Sequence, residues 1–273
     1  MLLLLSAIAL AAPVPADSIL NNTDRSWQLQ PVAEIGFLAP LSHIYQSGNG
    51  GSEFDYITEG GQDNLFLVTR WSLDLQLKER NTVTFLYQPL NIRTAQVAQR
   101  DLAFDEVVFT DGTPIELRYG FDFYRASYTR DVLADPDKEL GFGASLQIRN
   151  AAIEFVSTDG TQRSTTRDIG PVPVLKVKGR FDSDAGSWWG FEADGFYAPI
   201  KYLNGGTTDV VGAIADISLR GGLSLNNGLD PFLNLRYLGG GAEGTTDNPE
   251  PGTDGFTRNW LHFTTLTIGF MVR

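Results

Sequence analysis

The feature of this sequence that most restricts its fold is a strict two-residue alternation over residues 65–78. The odd positions carry Leu or Trp, apart from Thr69, and the even positions from Arg70 onward are polar. A side-chain period of two indicates a β-strand with one apolar and one polar face. Strands of soluble sandwiches have about 5 or 6 residues, whereas a strand that crosses a bilayer obliquely needs about 9 to 11. The length of this segment therefore favours a membrane-spanning strand.

The same alternation recurs along the rest of the chain. Residues 29–39 form the first such segment, and residues 139–157 form one long strand with a kink near Asn150. Short turns separate pairs of strands at 79–81, 134–137, 182–186 and 226–228. Longer polar connections lie between the pairs at about 40–62, 91–113, 158–166, 198–208 and 241–257. Alternating short and long connections are typical of an all-β, up-and-down antiparallel transmembrane β-barrel. We count about ten strands, with eight as the alternative.

Composition excludes several other classes. The chain has 273 residues, of which 42% are hydrophobic and 20% charged, which is too apolar for a disordered protein. After the first sixteen residues no apolar run approaches the 18 or so residues of a spanning helix. The net charge of −12 argues against a nucleic-acid partner. The absence of cysteine excludes disulfides and thiol chemistry.

The N-terminal segment has the character of a secretory signal. Residues 1–12 are apolar, and small residues and prolines that suit a cleavage zone follow them. We therefore expect residues 1–16 to be a signal peptide, residues 17–28 a periplasmic N-terminal segment, and residues 29–273 the barrel.

The polar faces of the predicted strands carry charges of both signs. If that face of residues 65–78 met lipid, Arg70 near the bilayer midplane would cost about 2–4 kcal/mol. We therefore expect the charged face to line the lumen. The predicted lumen-lining residues are Arg70, Asp74, Lys78, Glu116, Arg118, Asp122, Arg149, Glu154, Lys176, Lys178, Arg180, Glu192, Asp194, Asp216, Arg220 and Arg236. The predicted lipid-facing residues are Leu65, Leu67, Trp71, Leu73, Leu75, Phe121, Phe123, Leu146, Val177, Phe191, Ile217, Leu235, Ile268 and Phe270.

Charges of both signs in a narrow lumen allow two interpretations. They can pair with one another and plug the barrel, or they can line a narrow water-filled channel. We favour the plug, because open aqueous lumens belong to barrels of about 16 or more strands.

The alternating strands, the asymmetry of turns and loops, and the final segment 267–273 resemble the small outer-membrane β-barrel proteins of bacteria with two membranes, a class that includes porin-like and outer-membrane-protein-A-like barrels. The resemblance implies a location in the outer membrane of a Gram-negative cell. It also implies outer-membrane lipid and the outer-membrane assembly machinery as partners. We expect a monomer, and the ligand of the loops is not specified by the sequence.

Residues suited to catalysis are few. His43 and His262 are the two histidines, and Thr264 follows His262 on the same face of the last predicted strand. No orienting carboxylate accompanies them, so we predict that the chain is not an enzyme. The two histidines are not spaced as metal ligands, and we expect neither a metal nor a cofactor. The favoured function is a structural or surface-interaction barrel. The alternatives are a narrow passive channel, a lipid-modifying outer-membrane enzyme and a secreted lipocalin-like binding barrel, whose apolar faces would point inward.

Overall fold

The computed structural model describes residues 27–78, 80–199, 209–246, 249 and 251–272. The predicted signal peptide and all but two residues of the predicted periplasmic segment lie outside these ranges. Among the described residues, no helix is long and apolar enough to cross a membrane. The strands are β1 (Trp27–Ser47), β2 (Phe54–Asp55), β3 (Phe66–Leu77), β4 (Asn81–Gln88), β5 (Asn91–Val97), β6 (Leu102–Phe104), β7 (Val107–Phe109), β8 (Pro114–Asp131), β9 (Lys138–Ser157), β10 (Arg163–Asp182), β11 (Ser187–Pro199), β12 (Val211–Leu223), β13 (Leu229–Thr245) and β14 (Phe256–Val272).

The strands close into an antiparallel barrel with ten strand positions around its wall, and we call each position a stave. This confirms the predicted architecture and the favoured count of ten. Neighbours follow the order β1, β3, β4, β8, β9, β10, β11, β12, β13 and β14, and β14 pairs with β1 to close the cylinder. Strands β4 and β5 both pair with β8 and together form one stave. Among the described residues each of the ten positions in the wall has a paired neighbour on both sides, which is how a barrel satisfies its backbone in a bilayer, although β5 pairs with β8 alone.

The extra strands lie at the end with the long connections. Strand β2 adds to the upper end of β1, and β6 and β7 form a small hairpin of their own. Strand β9 is a single continuous strand, as predicted for residues 139–157, and it pairs along its whole length with β10. By analogy with other up-and-down membrane barrels, we refer to the long-connection end as extracellular and to the short-turn end as periplasmic.

The outer wall carries a broad apolar band. Leu67 is 68% exposed, Leu235 is 55% exposed and Ile268 is 54% exposed, although all three are large aliphatic residues. The inner wall at the same level is polar, with Arg70 and Asn234 buried. An apolar exterior around a polar interior is the arrangement of a barrel surrounded by lipid and excludes the lipocalin-like alternative.

The apolar residues of β8 change from the outer to the inner side of the wall halfway along the strand, although the strand itself keeps the same residues facing inward. Odd-numbered residues point inward throughout. In the periplasmic half the outward residues include the exposed Tyr124 and Tyr128, while Arg125 and Ser127 point inward. In the extracellular half the apolar residues point inward instead. These buried residues are Ile115, Leu117, Tyr119, Phe121 and Phe123.

This inversion has a simple physical cause. Beyond the bilayer surface the surroundings of the barrel are water, so the stable arrangement becomes that of a soluble barrel, with apolar side chains inside. Strand β9 shows the same change, because Leu146 and Ile148 face outward whereas Ile153 and Phe155 are buried inside. The outer boundary of the apolar band therefore lies near Tyr124 on β8.

The inversion corrects part of the predicted assignment. Phe121 and Phe123, expected to meet lipid, lie in the interior. The residues expected in the lumen that lie instead on the outer wall of the extracellular half are Glu116, Arg118, Asp122 and Glu154. The expectation was wrong because it placed the apolar face toward lipid over the whole length of β8 and β9. Only the periplasmic half of each strand lies in lipid.

Because the chain has no cysteine, single cysteines report the surroundings of each outward position. We expect Glu116→Cys to react with a membrane-impermeant maleimide on intact cells, since position 116 is in water above the bilayer. Tyr124→Cys, eight residues along on the same face, should remain unlabelled because it lies in lipid. Ser127→Cys, buried inside, should react only after unfolding. Labelling at position 124 together with protection at position 116 would refute the proposed boundary.

Candidate functional site

The middle of the lumen is filled by a chain of ion pairs, which we call the ionic layer. Its members come from seven different strands. They are Glu34, Arg70, Arg125, Lys176, Glu192, Asp194, Asp216, Arg220 and Arg236. Each side chain is at most 18% exposed. At this depth an unpaired charge would be costly, so the mutual pairing is what makes the charges tolerable.

Glu34 accepts hydrogen bonds from four different side chains. Its Oε1 lies 2.6 Å from Arg70 Nη1 and 3.2 Å from Arg220 Nη2. Its Oε2 accepts hydrogen bonds from Asn234 Nδ2 at 2.7 Å and from Thr267 Oγ1 at 2.8 Å. The carboxylate is only 1% exposed. It therefore joins strands β1, β3, β12, β13 and β14 through one side chain.

Other ion pairs run across the barrel rather than along its wall. Arg125 on β8 lies 2.8 Å from Asp194 on β11 and 3.0 Å from Asp216 on β12. Arg236 holds Asp216 through two nitrogens and donates to Gln88 on the opposite wall. These side chains meet in the space that a channel would need to keep open.

A second bridge across the lumen joins β3 to β11. Glu192 lies 2.5 Å from Arg220 and 2.8 Å from Lys176, and it is also 3.7 Å from Arg70. Lys176 bonds Asp194 as well, at 2.9 Å, so the two bridges belong to one network.

The predicted lumen residues outside the ionic layer lie in different parts of the barrel. Lys178 pairs with Glu139 at 2.7 Å, and the side chain of Asp74 has a buried oxygen. Arg180 pairs with Asp230 at 3.1 Å near the periplasmic end. Lys78 does not line the lumen, because it lies in the exposed turn after β3 with a φ of 50°. The side chain of Arg149 lies outside the described residues.

The lipid-facing predictions away from β8 fall on the outer wall. Trp71, Leu73, Leu146 and Ile217 are exposed there. The half-buried members of the set are Leu75, Val177, Phe191 and Phe270. Leu65 is 61% exposed and lies one residue before β3 begins.

Above the ionic layer the lumen contains a cluster of aromatic rings, which we call the aromatic layer. Its members are Tyr45, Phe54, Tyr56, Phe104, Phe109, Tyr119, Phe121, Phe123 and Phe155. The rings of Phe104 and Phe155 are 4.1 Å apart. Tyr45 on β1 reaches across the barrel, where its hydroxyl lies 2.7 Å from Thr166 Oγ1 on β10.

Below the ionic layer, a smaller apolar cluster occupies the periplasmic end. It consists of Val32, Trp188, Phe232 and Met271, all buried. The guanidinium of Arg180 stacks over the ring of Trp188 at 4.3 Å. That of Arg220 lies 5.5 Å from the centre of the Phe232 ring, which joins this cluster to the ionic layer above it.

The extracellular connections fold over the mouth of the barrel as an ordered cap, formed by residues 48–65 and 98–113. Ser52 and Ala103 exchange hydrogen bonds of 2.7 and 2.9 Å between the two connections. Arg100 pairs with Glu59 at 2.8 Å. The last connection joins the cap through Asp254, which accepts a hydrogen bond from the Asn49 amide at 2.7 Å. This bond and the one from the Phe256 amide lower the pKa of Asp254.

The two histidines are adjacent in register but lie on opposite sides of the wall. A register shift between Pro40 and Ser42 turns His43 inward, where it is fully buried and hydrogen-bonded to Gln62 at 2.8 Å. His262 points outward, and its Nδ1 lies 2.7 Å from the Tyr237 hydroxyl. Thr264 donates to the Arg236 carbonyl oxygen at 3.0 Å. The structure therefore does not bring these three residues together as a catalytic group.

Two depressions of about 630 and 640 Å³ lie in the outer wall rather than in the lumen. The first is lined mainly by apolar residues such as Trp71, Leu73 and Phe85. The second contains the Tyr237 and His262 pair. Both lie within or at the edge of the apolar band, where acyl chains surround the barrel.

Part of the interior was not predicted from the sequence. Glu34 and Arg125 were not among the predicted lumen residues, although each lies between outward-facing apolar neighbours, Ala33 and Ile35 or Tyr124 and Ala126. The aromatic layer was missed entirely. The signal for it was present in β8, where the apolar positions change from odd to even numbers at Phe123 and Tyr124.

No protein-family model and no curated protein matches the chain. Solved structures that resemble it are outer-membrane proteins. The outer-membrane protease OmpT from Escherichia coli is 10% identical with a TM-score of 0.46, over 89% of this chain and 96% of that one. A Pseudomonas aeruginosa FadL homologue is 9% identical with a TM-score of 0.39, over 91% and 90%. The β-domain of the Bordetella autotransporter BrkA is 13% identical with a TM-score of 0.32, over 89% and 98%.

The chain is an outer-membrane β-barrel of the bacterial type, as its closed wall and apolar exterior require. One prediction is corrected. We expected from the sequence that the chain is not an enzyme, but a protease is among the barrels that it resembles. Membership of this architecture therefore gives no ground for excluding catalysis.

The ionic layer predicts a large stability difference between two arginines. Arg236→Ala leaves Asp216 with a buried charge and one arginine fewer, so we expect a loss of about 3–5 kcal/mol. Arg258→Ala removes solvent-accessible pairs with Glu53 and Glu243 and should cost about 0–1 kcal/mol. Urea unfolding of the barrel in lipid vesicles, followed by tryptophan fluorescence, measures both. Equal midpoints for the two variants would contradict the structural role of the layer.

Proposed function

We propose that this outer-membrane β-barrel is a closed, non-conducting scaffold that holds its extracellular cap at the cell surface, as a structural or surface-interaction protein. The observation that carries the proposal is the set of contacts across the lumen. Arg125 meets Asp194 and Asp216 from the opposite wall, and Tyr45 bonds Thr166 across the aromatic layer.

The pairing of the lumen charges supports a plug rather than a channel. A conducting pore offers its charged groups to passing ions, so those groups must be hydrated and accessible. Here the carboxylates of Glu34, Asp194 and Asp216 are at most 4% exposed and are held by arginine or lysine. A ten-stave barrel is also narrow enough for side chains to fill.

The aromatic layer supports closure by a second, independent means. Its rings are contributed both by the wall and by the cap. Phe155 on β9 packs against Phe54 from the first cap connection at 5.2 Å and against Phe104 from the second at 4.1 Å. The cap is therefore anchored in the lumen by apolar burial, and its outer surface is held in a fixed position for contact with the surroundings of the cell.

Single-channel recording in planar bilayers tests the proposal. We expect no conductance steps from the wild-type barrel under conditions in which a porin gives them. The double variant Tyr45→Ala/Phe155→Ala should remain closed, because the ionic layer is intact. Adding Arg125→Ala and Arg236→Ala should produce leak currents, since both layers are then opened. Leu235→Ala, a lipid-facing change, is the matched control and should stay silent.

Insertion must be verified in the same samples, because a barrel that fails to insert would also give no current. Slower gel migration after heating of the reconstituted protein provides that check. Regular conductance steps from inserted wild-type protein, with an ion selectivity changed by Asp216→Asn, would overturn the proposal and favour the narrow channel.

A further inference from the structure

The pairing between β3 and the stave of β4 and β5 stops partway up the wall. Strand β3 is paired with β1 up to Phe66, but it is paired with β4 only from Trp71 to Leu77. Strand β5, which continues the stave above β4, is paired with β8 and with no other strand among the described residues. Residues 66–70 of β3 therefore have no partner strand on the side toward β5. We call the space between these two strands the β3–β5 gap.

Pro89 explains why the pairing stops at this point. The register of β3 and β4 would next place Pro89 opposite Thr69. The Phe121 amide donates to the Leu90 carbonyl oxygen at 2.7 Å, so Leu90 directs its backbone groups toward β8. Because this direction alternates along a strand, the backbone of Pro89 faces β3. Proline has no amide hydrogen, and the hydrogen bond that would join it to β3 cannot form.

The same alternation leaves the edge of β5 without a partner. Asn91, Arg93 and Ala95 direct their backbone N–H and C=O groups into the gap, and within the described ranges nothing hydrogen-bonds to these groups. The side chains of all three residues are exposed. The edge ends at Val97, whose carbonyl oxygen accepts a hydrogen bond from Gln99 Nε2 at 3.0 Å. Unpaired groups at strand spacing are a template for another strand.

The gap is a slot in the outer surface and not a passage into the lumen. On its inner side Val68 and Ile92 are at most 5% exposed. At its upper end the side chain of Gln96 packs against Gly61 of the cap. The gap is therefore compatible with a closed barrel.

The edge of β5 lies in water. The part of β8 that pairs with β5, residues 114–120, is above Tyr124 and so above the apolar band. Unpaired backbone groups are not tolerated in hydrocarbon, whereas water hydrates them until a partner arrives. A ligand can therefore reach this edge from outside the cell.

Arg93 determines which charge suits a strand beside it. On the β8 side Arg93 is opposite Arg118, which is already paired with Glu154 at 2.9 Å. Glu116 is opposite Ala95, and no carboxylate in the described part of the chain is within ion-pair distance of Arg93. On the gap side the position opposite Arg93 is vacant. An acidic side chain there would form a favourable cross-strand pair.

We propose that the β5 edge binds an extended segment of a partner protein as an added β-strand, with an acidic side chain beside Arg93. The inference rests on the proposed surface-interaction role and specifies the class of partner. The backbone of the added strand completes the hydrogen bonds of Asn91, Arg93 and Ala95. Its inward side chains must be small, because Val68 and Ile92 already fill the inner side.

A second copy of this chain does not suit the edge. Two copies in one membrane are related by an axis along the membrane normal, so pairing through β5 would bring their Arg93 side chains to the same height. Like charges placed opposite each other are destabilising.

Hydrogen exchange of the full barrel in phosphatidylcholine nanodiscs, followed by nuclear magnetic resonance, tests the proposal. The probe is a short capped peptide in which threonine and alanine alternate and glutamate replaces the central threonine. Without peptide, the amides of Asn91, Arg93 and Ala95 should exchange rapidly, whereas those of Ile92 and Thr94, which face β8, should be protected. Saturating peptide should slow the three gap-facing amides about tenfold or more.

Two variants separate backbone pairing from charge. Ala95→Pro removes one gap-facing amide and leaves the pairing with β8 intact, so the peptide should bind about tenfold more weakly. Arg93→Glu should reverse the preference, so that a peptide with a central lysine binds more tightly than the one with glutamate. The matched control is Arg130→Glu at the exposed periplasmic end of β8, which should bind as the wild type does.

Several results would overturn the inference. Protection of the gap-facing amides without peptide would show that the edge already has a partner. Equal affinity of a peptide N-methylated at the amides that face β5 would exclude strand addition. Protection that depends on barrel concentration alone would indicate pairing between copies. Absence of any protection by the peptide, in a barrel that passes no current in planar bilayers, would overturn the strand site and leave the closed scaffold standing.

Discussion

The change of surroundings at the outer surface of the membrane determines how this barrel is built. A strand's side chains alternate between the two sides of the wall without interruption, so each stave offers one inward and one outward series. In lipid the outward series must be apolar, and in water it need not be. Strand β8 meets both conditions in one run, with Tyr124 outward in lipid and Glu116 outward in water. The positions of the ionic layer and the aromatic layer follow from this single boundary.

Below the boundary the interior receives the polar series. Because the lumen of a ten-stave barrel is narrow, its charged side chains reach one another and pair, and the pairing around Glu34 joins five staves. Above the boundary the interior receives the apolar series, and the rings of Tyr119 and Phe155 pack there with rings from the cap. Two chemically different layers therefore fill the middle and the extracellular part of the barrel, and the apolar cluster of Val32, Trp188, Phe232 and Met271 fills its periplasmic end.

The sequence predicted the architecture well and the upper interior poorly. Alternation at residues 65–78 and the asymmetry of the connections were sufficient for ten staves, because both are local properties of the chain. The charged interior of β10 to β13 also follows from alternation, since those strands lie largely in lipid. Phe121 and Phe123 were misplaced because an apolar residue looks the same in sequence whether its face meets lipid or a core. Only the change of the apolar positions from odd to even numbers at Phe123 and Tyr124 indicates where the apolar face stops facing the core and begins to face lipid.

Contacts between distant staves could not be predicted at all. Nothing in the local pattern indicates that Arg70 approaches Glu192, or that His43 and His262 face opposite sides of the same wall. The second case depends on the register shift near Pro40, which reverses the direction of all later residues of β1. Barrel curvature and one irregularity therefore decide which residues can act together, and this is why the side chains of the two histidines do not meet although their positions are adjacent in register.

The central claim is that the apolar faces of the lower staves point outward into lipid. Fractionation of expressing cells, followed by electrophoresis with and without heating, tests it most directly. We expect recovery in the outer-membrane fraction and a band that migrates differently before heating, as a folded barrel does. A soluble periplasmic protein with no heat-dependent shift would contradict it, because every lower stave would then have to turn its apolar face inward.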